Sequence, residues 1–176
     1  ILDGGMMAYV AKTKADRRTP VNPLERGNIR RTPKKFEAKL RREMLIDRTE
    51  VEAALSNGLP ALDARPNPQY LGLQRSPSVQ RAGTLPGALS LPGEWMTENG
   101  GGKMRSKGAL AKLFDIAGAK SEGEMFTFCN TGHWASVTWF VAHEILGRGR
   151  TKLYDGSLAD WTSRRDASVE RKIRLN

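Results

Sequence analysis

The sequence predicts an α/β fold built on a central parallel sheet with helices on both faces. From about residue 45 onwards, short apolar segments suited to buried strands alternate with helical patterns, which is typical of successive β–α units. The segment 137–146 is apolar on nearly every side, so we expect this helix to be buried against the sheet. A chain of 176 residues with a hydrophobic fraction of 39% can form one domain with a substantial core and an additional segment.

Start and stop signals place the elements along the chain. Asp47 or Thr49 caps a first helix that ends at Asn57-Gly58, and a buried strand then stops at Pro66. Residues 66–86 are rich in proline and are predicted to be irregular. The remaining elements are strands at 88–91, 125–128 and 152–154, helices at 133–146 and 158–165, and a helix from Ser106 to Gly118 with a stripe of Leu110, Leu113, Phe114, Ile116 and Ala117.

The first 44 residues differ in composition from the rest. Residues 1–5 predict a short apolar strand that ends in a glycine turn. Much of the segment 6–44 has few aliphatic side chains and many cations, so we expect a basic interdomain linker. The compact domain is then expected at 45–176.

The formal net charge of +10 predicts an anionic partner. Much of the charge lies in residues 12–48, and a second cluster at 164–165 and 171–174 closes the chain. Because no aromatic platform is interleaved with the cations, a solvated basic surface is favoured over a nucleic-acid interface.

No apolar run approaches the roughly 20 residues that span a bilayer, so no membrane association is predicted. We expect a cytoplasmic protein. The periplasm is the alternative, because the chain starts at Ile1 rather than Met and a targeting segment could precede it.

The chemistry is expected in the segment 126–136, where an apolar strand leads into Cys129, a tight loop and the start of a helix. A single cysteine is often only a small buried hydrophobe. Here the free N–H groups at the helix start favour a negative charge on the sulfur, which indicates a reactive thiolate. Gly132 permits a backbone nest for an anion, and Asn130 and Thr131 supply further donors.

The two residues that follow Gly132, His133 and Trp134, each allow two interpretations. His133 either supplies a proton or positive charge or simply points outward, and Trp134 either packs on the helix start or forms a wall of the pocket. The chain has one cysteine and two histidines without metal-ligand spacing, so we predict no metal site, no disulfide and no cofactor.

Ligands of an open α/β sheet bind beyond the carboxyl ends of its strands. Residues 63–65 and 155–157 follow two other strands, so we expect them to meet Cys129 in one crevice. A cysteine phosphatase needs an arginine where Ala135 stands, which disfavours phosphoryl transfer. Sulfur transfer through a cysteine persulfide requires only an anion-stabilising loop around the sulfur.

Several motifs in this order resemble the rhodanese-like sulfurtransferases. They are Leu62-Asp63-Ala64-Arg65-Pro66, Gln69-Tyr70-Leu71-Gly72, residues 81–88, the Cys129 loop, Leu153-Tyr154-Asp155-Gly156-Ser157 and Trp161. The resemblance covers about residues 45–166 and implies the rhodanese-like three-layer fold. Residues 1–5 resemble the end of another such domain, so the chain resembles the C-terminal, cysteine-bearing half of a tandem protein that packs against a second rhodanese domain.

The resemblance implies that Cys129 takes sulfur from a small anionic donor such as thiosulfate and passes it to cyanide or a thiol. It implies that the amides of residues 130–134 hold the sulfur and that Ser157 hydrogen-bonds it. We expect the loop to be supported by Asp63, Arg65, Asp155 and Ser157.

Thiosulfate or a similar compound is the expected donor, and 3-mercaptopyruvate is the less favoured alternative. The loop has neither the cations frequent in thiosulfate-preferring relatives nor the Gly-Ser-Gly of mercaptopyruvate-preferring ones. Some tandem members have an arginine where Gln69 stands, and Arg75 is a candidate to replace it. A persulfide-relay module that docks a partner protein is the alternative function.

Overall fold

The computed structural model describes residues 1–15, 30, 32–100, 102–119 and 123–175. Within these residues the chain forms short 3-10 turns at Arg42–Met44, Gly93–Met96 and Glu98–Gly100. The helices and strands, in chain order, are α1 (Gly5–Ala15), α2 (Arg48–Ser56), β1 (Ala61–Asp63), α3 (Asn67–Tyr70), β2 (Leu89–Ser90), α4 (Lys107–Ile116), β3 (Met125–Phe128), α5 (His133–Phe140), β4 (Thr151–Leu153) and α6 (Ser157–Ser163).

The four described strands form one parallel sheet in the order β2-β1-β3-β4. Leu62 of β1 pairs with Leu89 on one side and with Thr127 on the other, and Thr127 pairs with Leu153. The carboxyl ends of β1, β3 and β4 therefore lie side by side, with β3 in the middle. This confirms the predicted α/β class with a central parallel sheet.

The sheet is covered on both faces because alternate side chains of its strands point to opposite sides. Phe126 and Phe128 pack on one face with side chains of α2 and α6, among them Val51, Leu158 and Trp161. The other face carries Leu62 and Met125 against α4 and the helix that follows β3, through Leu110, Phe114, Val141 and Ala142. The predicted three-layer arrangement is confirmed.

The predicted helix boundaries are largely confirmed by their caps. Asp47 is the N-cap of α2 and forms a capping box with Glu50, and the Ser106 hydroxyl accepts from the amide of Ala109 at the start of α4. The helix after Cys129 is α5, which continues through a π-helical turn at Val141–Ile145.

The structure corrects three other expectations. The side chain of Ile116 is 76% exposed, because about 100° of rotation per residue turns it away from the stripe of Leu110 and Phe114. Residues 66–86 are not wholly irregular, since α3 forms within them. Residues 1–4 form a turn rather than a strand, in which the amide of Gly5 donates to the carbonyl of Leu2.

The segment predicted as a linker is partly helical. α1 covers its beginning, and residues 30 and 32–41 have no regular secondary structure. The predicted linker residues 16–29 and 31 lie outside the described residues. No helix in the part of the chain that the structure describes is long and apolar enough to cross a membrane.

An ion-pair network joins α2 to α6 and the end of β4. Arg48 Nη2 donates to Asp160 Oδ1 at 2.8 Å, and the hydroxyl of Tyr154 donates to the other oxygen of Asp160. Burial and the bond to Asp160 raise the pKa of Tyr154 well above its ordinary value. Burial alone would raise the pKa of Asp160, but the bonds from Arg48 and Tyr154 outweigh it and lower that pKa. The network therefore fixes Tyr154 directly before the predicted site residues Asp155 and Ser157.

Candidate active site: the loop after β3

The thiol of Cys129 lies at the carboxyl end of the central strand β3 and is completely buried. β1 and β4 flank β3, so the segments that follow these strands border the loop of Cys129. The amide of Ala64 donates to the carbonyl of Phe128, and the amide of Tyr154 donates to that of Thr127. The three predicted strand ends thus meet in one place.

The loop is held by the hydroxyl group of Ser157. This oxygen accepts from the amide of Cys129 at 3.0 Å and from the amide of Gly132 at 3.2 Å, and it donates to the carbonyl of Tyr154 at 2.9 Å. The hydroxyl proton is therefore used inside the protein, and the three bonds of Ser157 hold the loop. Support of the loop is one of the two roles expected of Ser157.

The start of α6 holds the carbonyl side of the same loop. The amide of Leu158 donates to the carbonyl of Cys129 at 3.1 Å, and the amide of Ala159 donates to that of Asn130 at 2.9 Å. On the other side, the hydroxyl of Thr127 donates to the carbonyl of Ala135 at 3.0 Å and ties the start of α5 to β3. The carbonyl groups of the loop are thereby turned toward protein donors.

The remaining N–H groups of the loop have no partner within the described residues. Those of residues 130, 131, 133, 134 and 135 donate to no atom among the residues that the structure describes. Unpaired N–H groups in a loop and in the first turn of a helix favour a bound anion. Of the amides expected to hold the sulfur, that of Gly132 donates to Ser157 in this structure, and the amide of Ala135 is unpaired in addition to the others.

Gly132 has a backbone that other residues adopt only with strain, with φ at +85°. A Cβ atom at this position would lie 2.3 Å from Asp155 Oδ1 and 3.0 Å from the carbonyl oxygen of Asp155. Asp155 therefore supports the loop by close packing on Gly132, while its own side chain is exposed.

Asp63 and Arg65 form a completely buried ion pair at the end of β1. Arg65 Nη2 lies 2.6 Å from Asp63 Oδ2 and 2.7 Å from the carbonyl oxygen of Gly83, and the hydroxyl of Thr84 donates to Asp63 at 2.7 Å. These bonds fix the long connection 64–84 rather than the cysteine loop itself. Arg65 and Asp63 thus support the site through the segment that carries α3.

Gln69 on α3 contacts the cysteine loop directly. Asn130 Nδ2 donates to Gln69 Oε1 at 2.9 Å, whereas Oδ1 of Asn130 is buried and has no partner among the described residues. In the sequence, Gln69 stands out only because some relatives have an arginine at its place, and no local pattern predicts this bond. Arg75, the suggested replacement, donates from Nη1 to the carbonyl of Val79 in its own connection.

The other predicted site residues lie on the outer part of the loop. The hydroxyl of Thr131 lies 3.2 Å from Nδ1 of His133, and both side chains are exposed. Trp134 packs on Gly93, where a Cβ would lie 2.9 Å from its ring, and 41% of Trp134 is exposed. In the described part of the chain, no group of three or more His, Cys, Asp or Glu residues could hold a metal ion.

The profile of the rhodanese-like domain matches residues 47–164. The chain belongs to the rhodanese-like domain family. The matched segment contains Cys129 and the strand ends around it. The sequence resemblance is thereby confirmed at the level of the family.

Curated relatives carry a sulfurtransferase name. The chain is 32% identical over 130 residues to a Haloferax volcanii protein named "Putative thiosulfate sulfurtransferase", covering 70% of this chain and 45% of the relative. A Mycobacterium tuberculosis protein of the same name is 35% identical over 130 residues, covering 70% of this chain and 46% of the relative. The chain thus spans less than half the length of these relatives.

Solved structures show the same fold. A structure of EanB that carries a cysteine persulfide, with ergothioneine, matches with a TM-score of 0.80 at 21% identity, over 99% of this chain and 42% of that one. The Tum1 protein of Saccharomyces cerevisiae matches with a TM-score of 0.60 at 22% identity, over 73% of this chain and 47% of that one.

Replacing Gly132 by alanine tests the geometry of the loop. The Gly132→Ala variant is expected to lose about 2–4 kcal/mol of unfolding free energy, because the cost of the left-handed backbone and the cost of the clash with Asp155 add up. Urea denaturation measures the loss.

Gly147→Ala is the matched control, since Gly147 also has positive φ, at +76°, but a Cβ there would meet nothing within 4 Å. This control is expected to cost only about 1 kcal/mol. Equal costs at the two positions would contradict the described packing of Asp155 on Gly132.

Proposed function

We propose that this domain is a sulfurtransferase in which Cys129 carries the transferred sulfur as a persulfide. The observation that carries the proposal is the single cysteine at the end of the central strand, in a loop whose N–H groups at five positions are unpaired among the described residues. The names of the curated relatives support thiosulfate as the donor class.

The proposed reaction has two displacements that need no oxidant, metal or cofactor. The Cys129 thiolate attacks the outer sulfur of thiosulfate, the sulfur–sulfur bond of the donor breaks, and sulfite leaves with the electron pair. Cyanide or a thiolate then attacks the outer sulfur of the persulfide, and Sγ of Cys129 leaves as the thiolate. Negative charge stays on sulfur throughout, which is the charge that a cradle of N–H groups stabilises.

The proposed residue roles follow from the contacts. Asn130, Thr131, His133 and Trp134, together with Ala135, supply the N–H groups around the sulfur, and Gly132 allows the loop to turn. Ser157, Asp155, Asp63 and Arg65 hold the loop and the neighbouring connection. Because Cys129 is completely buried, the donor and acceptor must present a narrow terminal sulfur or carbon.

A cysteine phosphatase reaction is not supported. That chemistry uses a guanidinium to clamp the phosphate. Ala135 occupies the corresponding position here and is completely buried, so no cation stands there. The residues of the loop therefore fit sulfur transfer better than phosphoryl transfer.

The longer relatives favour a second domain as a partner. Apolar side chains near the start of the chain are exposed, at 98% for Ile1, 54% for Met6 and 83% for Met7. We therefore propose that this segment packs against a preceding rhodanese domain.

The reactive thiol of the proposed mechanism also bears on the compartment. A single reactive thiol is best preserved in a reducing compartment, which favours the cytoplasm.

The proposal makes Cys129 indispensable for turnover. Cys129→Ser and Cys129→Ala are expected to lose thiocyanate formation from thiosulfate and cyanide by at least about a thousandfold, because the covalent carrier is absent. A colorimetric assay for thiocyanate measures this. Thermal unfolding of both variants is the control for folding, and activity retained in a folded variant would overturn the proposal.

Donor preference is expected to depend on the residue at position 69. Gln69→Arg is expected to lower the KM for thiosulfate about three- to tenfold with less change in kcat, because a cation beside Asn130 attracts the dianion.

Gln69→Met is the matched control, since it removes the bond to Asn130 without adding charge. Initial rates at varied thiosulfate measure both parameters. An equal KM for the two variants would show that position 69 does not face the donor.

A further inference from the structure

Four arginines surround one surface cavity of about 570 Å³, here called the arginine cavity. Two segments of the chain form it, the connection before β2 and the C-terminal segment after α6. Its lining consists of Arg81, Ala82, Arg165, Asp166, Ala167, Ser168, Val169, Arg171 and Arg174.

The charge of the arginine cavity is not neutralised within the described residues. No carboxylate there forms an ion pair with Arg81, Arg165, Arg171 or Arg174. The one acidic lining residue, Asp166, is paired with Arg164 at 2.9 Å. Four guanidinium groups beside a single carboxylate that is already paired attract an anionic partner.

Backbone contacts hold two of these guanidinium groups in place. Arg81 donates from Nη1 to the carbonyl of Arg165 at 3.1 Å and from Nη2 to that of Arg164 at 2.7 Å. Arg171 donates from Nε to the carbonyl of Ala82 at 3.3 Å. Carbonyl groups orient these cations but carry no net charge, so the positive charge remains available to a partner.

The C-terminal segment is itself fixed to the domain. Thr84 and Glu170 exchange two backbone hydrogen bonds, at 2.8 and 2.9 Å, and the amide of Ile173 donates to the carbonyl of Leu71 at 3.1 Å. The arginine cavity is therefore a formed feature of the domain surface rather than a property of a loose tail.

The arginine cavity adjoins the connection that reaches the cysteine loop. A Cβ at Gly72 would lie 3.1 Å from the side chain of Arg171, so Arg171 packs on Gly72. Three residues earlier, Gln69 accepts the hydrogen bond from Asn130, next to Cys129. This chain therefore presents a basic surface, along the same connection, to a partner that brings a thiol to Cys129.

We propose that the arginine cavity docks an acidic segment of the protein that exchanges sulfur with Cys129. The proposal rests on the proposed sulfurtransferase function. Planar guanidinium groups match carboxylates in a bidentate geometry. No aromatic side chain lines the cavity, so the stacking platform expected of a site for single-stranded nucleic acid is absent from it.

Cysteine peptides test this proposal. The acceptor probe is a peptide with one cysteine joined by a Gly-Ser spacer to about four glutamates, made with several spacer lengths, and its twin has glutamine at the acidic positions. The Cys129 persulfide is expected to transfer sulfur to the acidic peptide about tenfold faster than to the neutral twin at low salt, in kcat/KM, for at least one spacer.

The variants are chosen so that folding is not at risk. Arg165 and Arg174 are exposed, and their side chains form no hydrogen bond or ion pair within the described residues. The double variant Arg165→Gln with Arg174→Gln is expected to reduce the preference for the acidic peptide by roughly three- to tenfold. This is the effect expected when two solvent-exposed ion pairs with the peptide are lost. Lys39→Gln with Lys112→Gln removes the same charge at two other exposed positions and is expected to keep the preference.

The outcomes separate the docking proposal from the proposed function. An equal loss of preference in both double variants, or no preference in the unaltered protein, would overturn docking at the arginine cavity while transfer to cyanide stays intact. If no sulfur reaches even cyanide, the proposed function fails, and fluorescence anisotropy of a labelled tetraglutamate peptide still tests the cavity. An oligonucleotide that binds through Arg165 and Arg174 when the acidic peptide does not would assign the cavity to nucleic acid instead.

Discussion

Two amides of the cysteine loop donate to one oxygen, the hydroxyl of Ser157, and the shape of the site depends on this arrangement. Ser157 adopts a positive φ of 52°, which costs a non-glycine residue about 1–2 kcal/mol. Its three hydrogen bonds offset that cost. Ser157 accepts from the amides of Cys129 and Gly132, and amides of α6 donate to the carbonyls of residues 129 and 130. The N–H groups of residues 130, 131, 133, 134 and 135 stay unpaired among the described residues, and we propose that they hold the sulfur.

A second support lies outside the loop. The buried pair of Asp63 and Arg65, completed by Thr84 and the carbonyl of Gly83, holds both ends of the connection between β1 and β2. Removing one partner of a buried pair leaves an uncompensated charge, which typically costs about 3–5 kcal/mol. This connection carries Gln69 to the cysteine loop and Gly72 to the arginine cavity. The same pair therefore maintains both the proposed reactive site and the proposed docking surface.

The sequence was most informative where one local rule decides the structure. The cap at Asp47, the strand 125–128 and the turn at Gly132 follow from side-chain chemistry and spacing within a few residues. The position of Cys129 then follows from the order of the parallel strands.

The sequence was least informative where distant segments meet. The bond of Asn130 to Gln69 joins residues 61 positions apart. The use of Ser157 as an acceptor depends on how α6 approaches the loop, which no local pattern records. The exposure of Ile116 shows the same limit, since apolar content alone does not specify which side of a helix is covered.

The most direct test of the account is the mass of the protein after reaction with thiosulfate. The Cys129 thiolate is expected to gain one sulfur, about 32 Da, with release of one sulfite, and to lose that mass again on addition of cyanide. Peptide mapping should place the added sulfur on Cys129. An unchanged mass, or an added sulfur that cyanide does not remove, would contradict a persulfide carried by this loop.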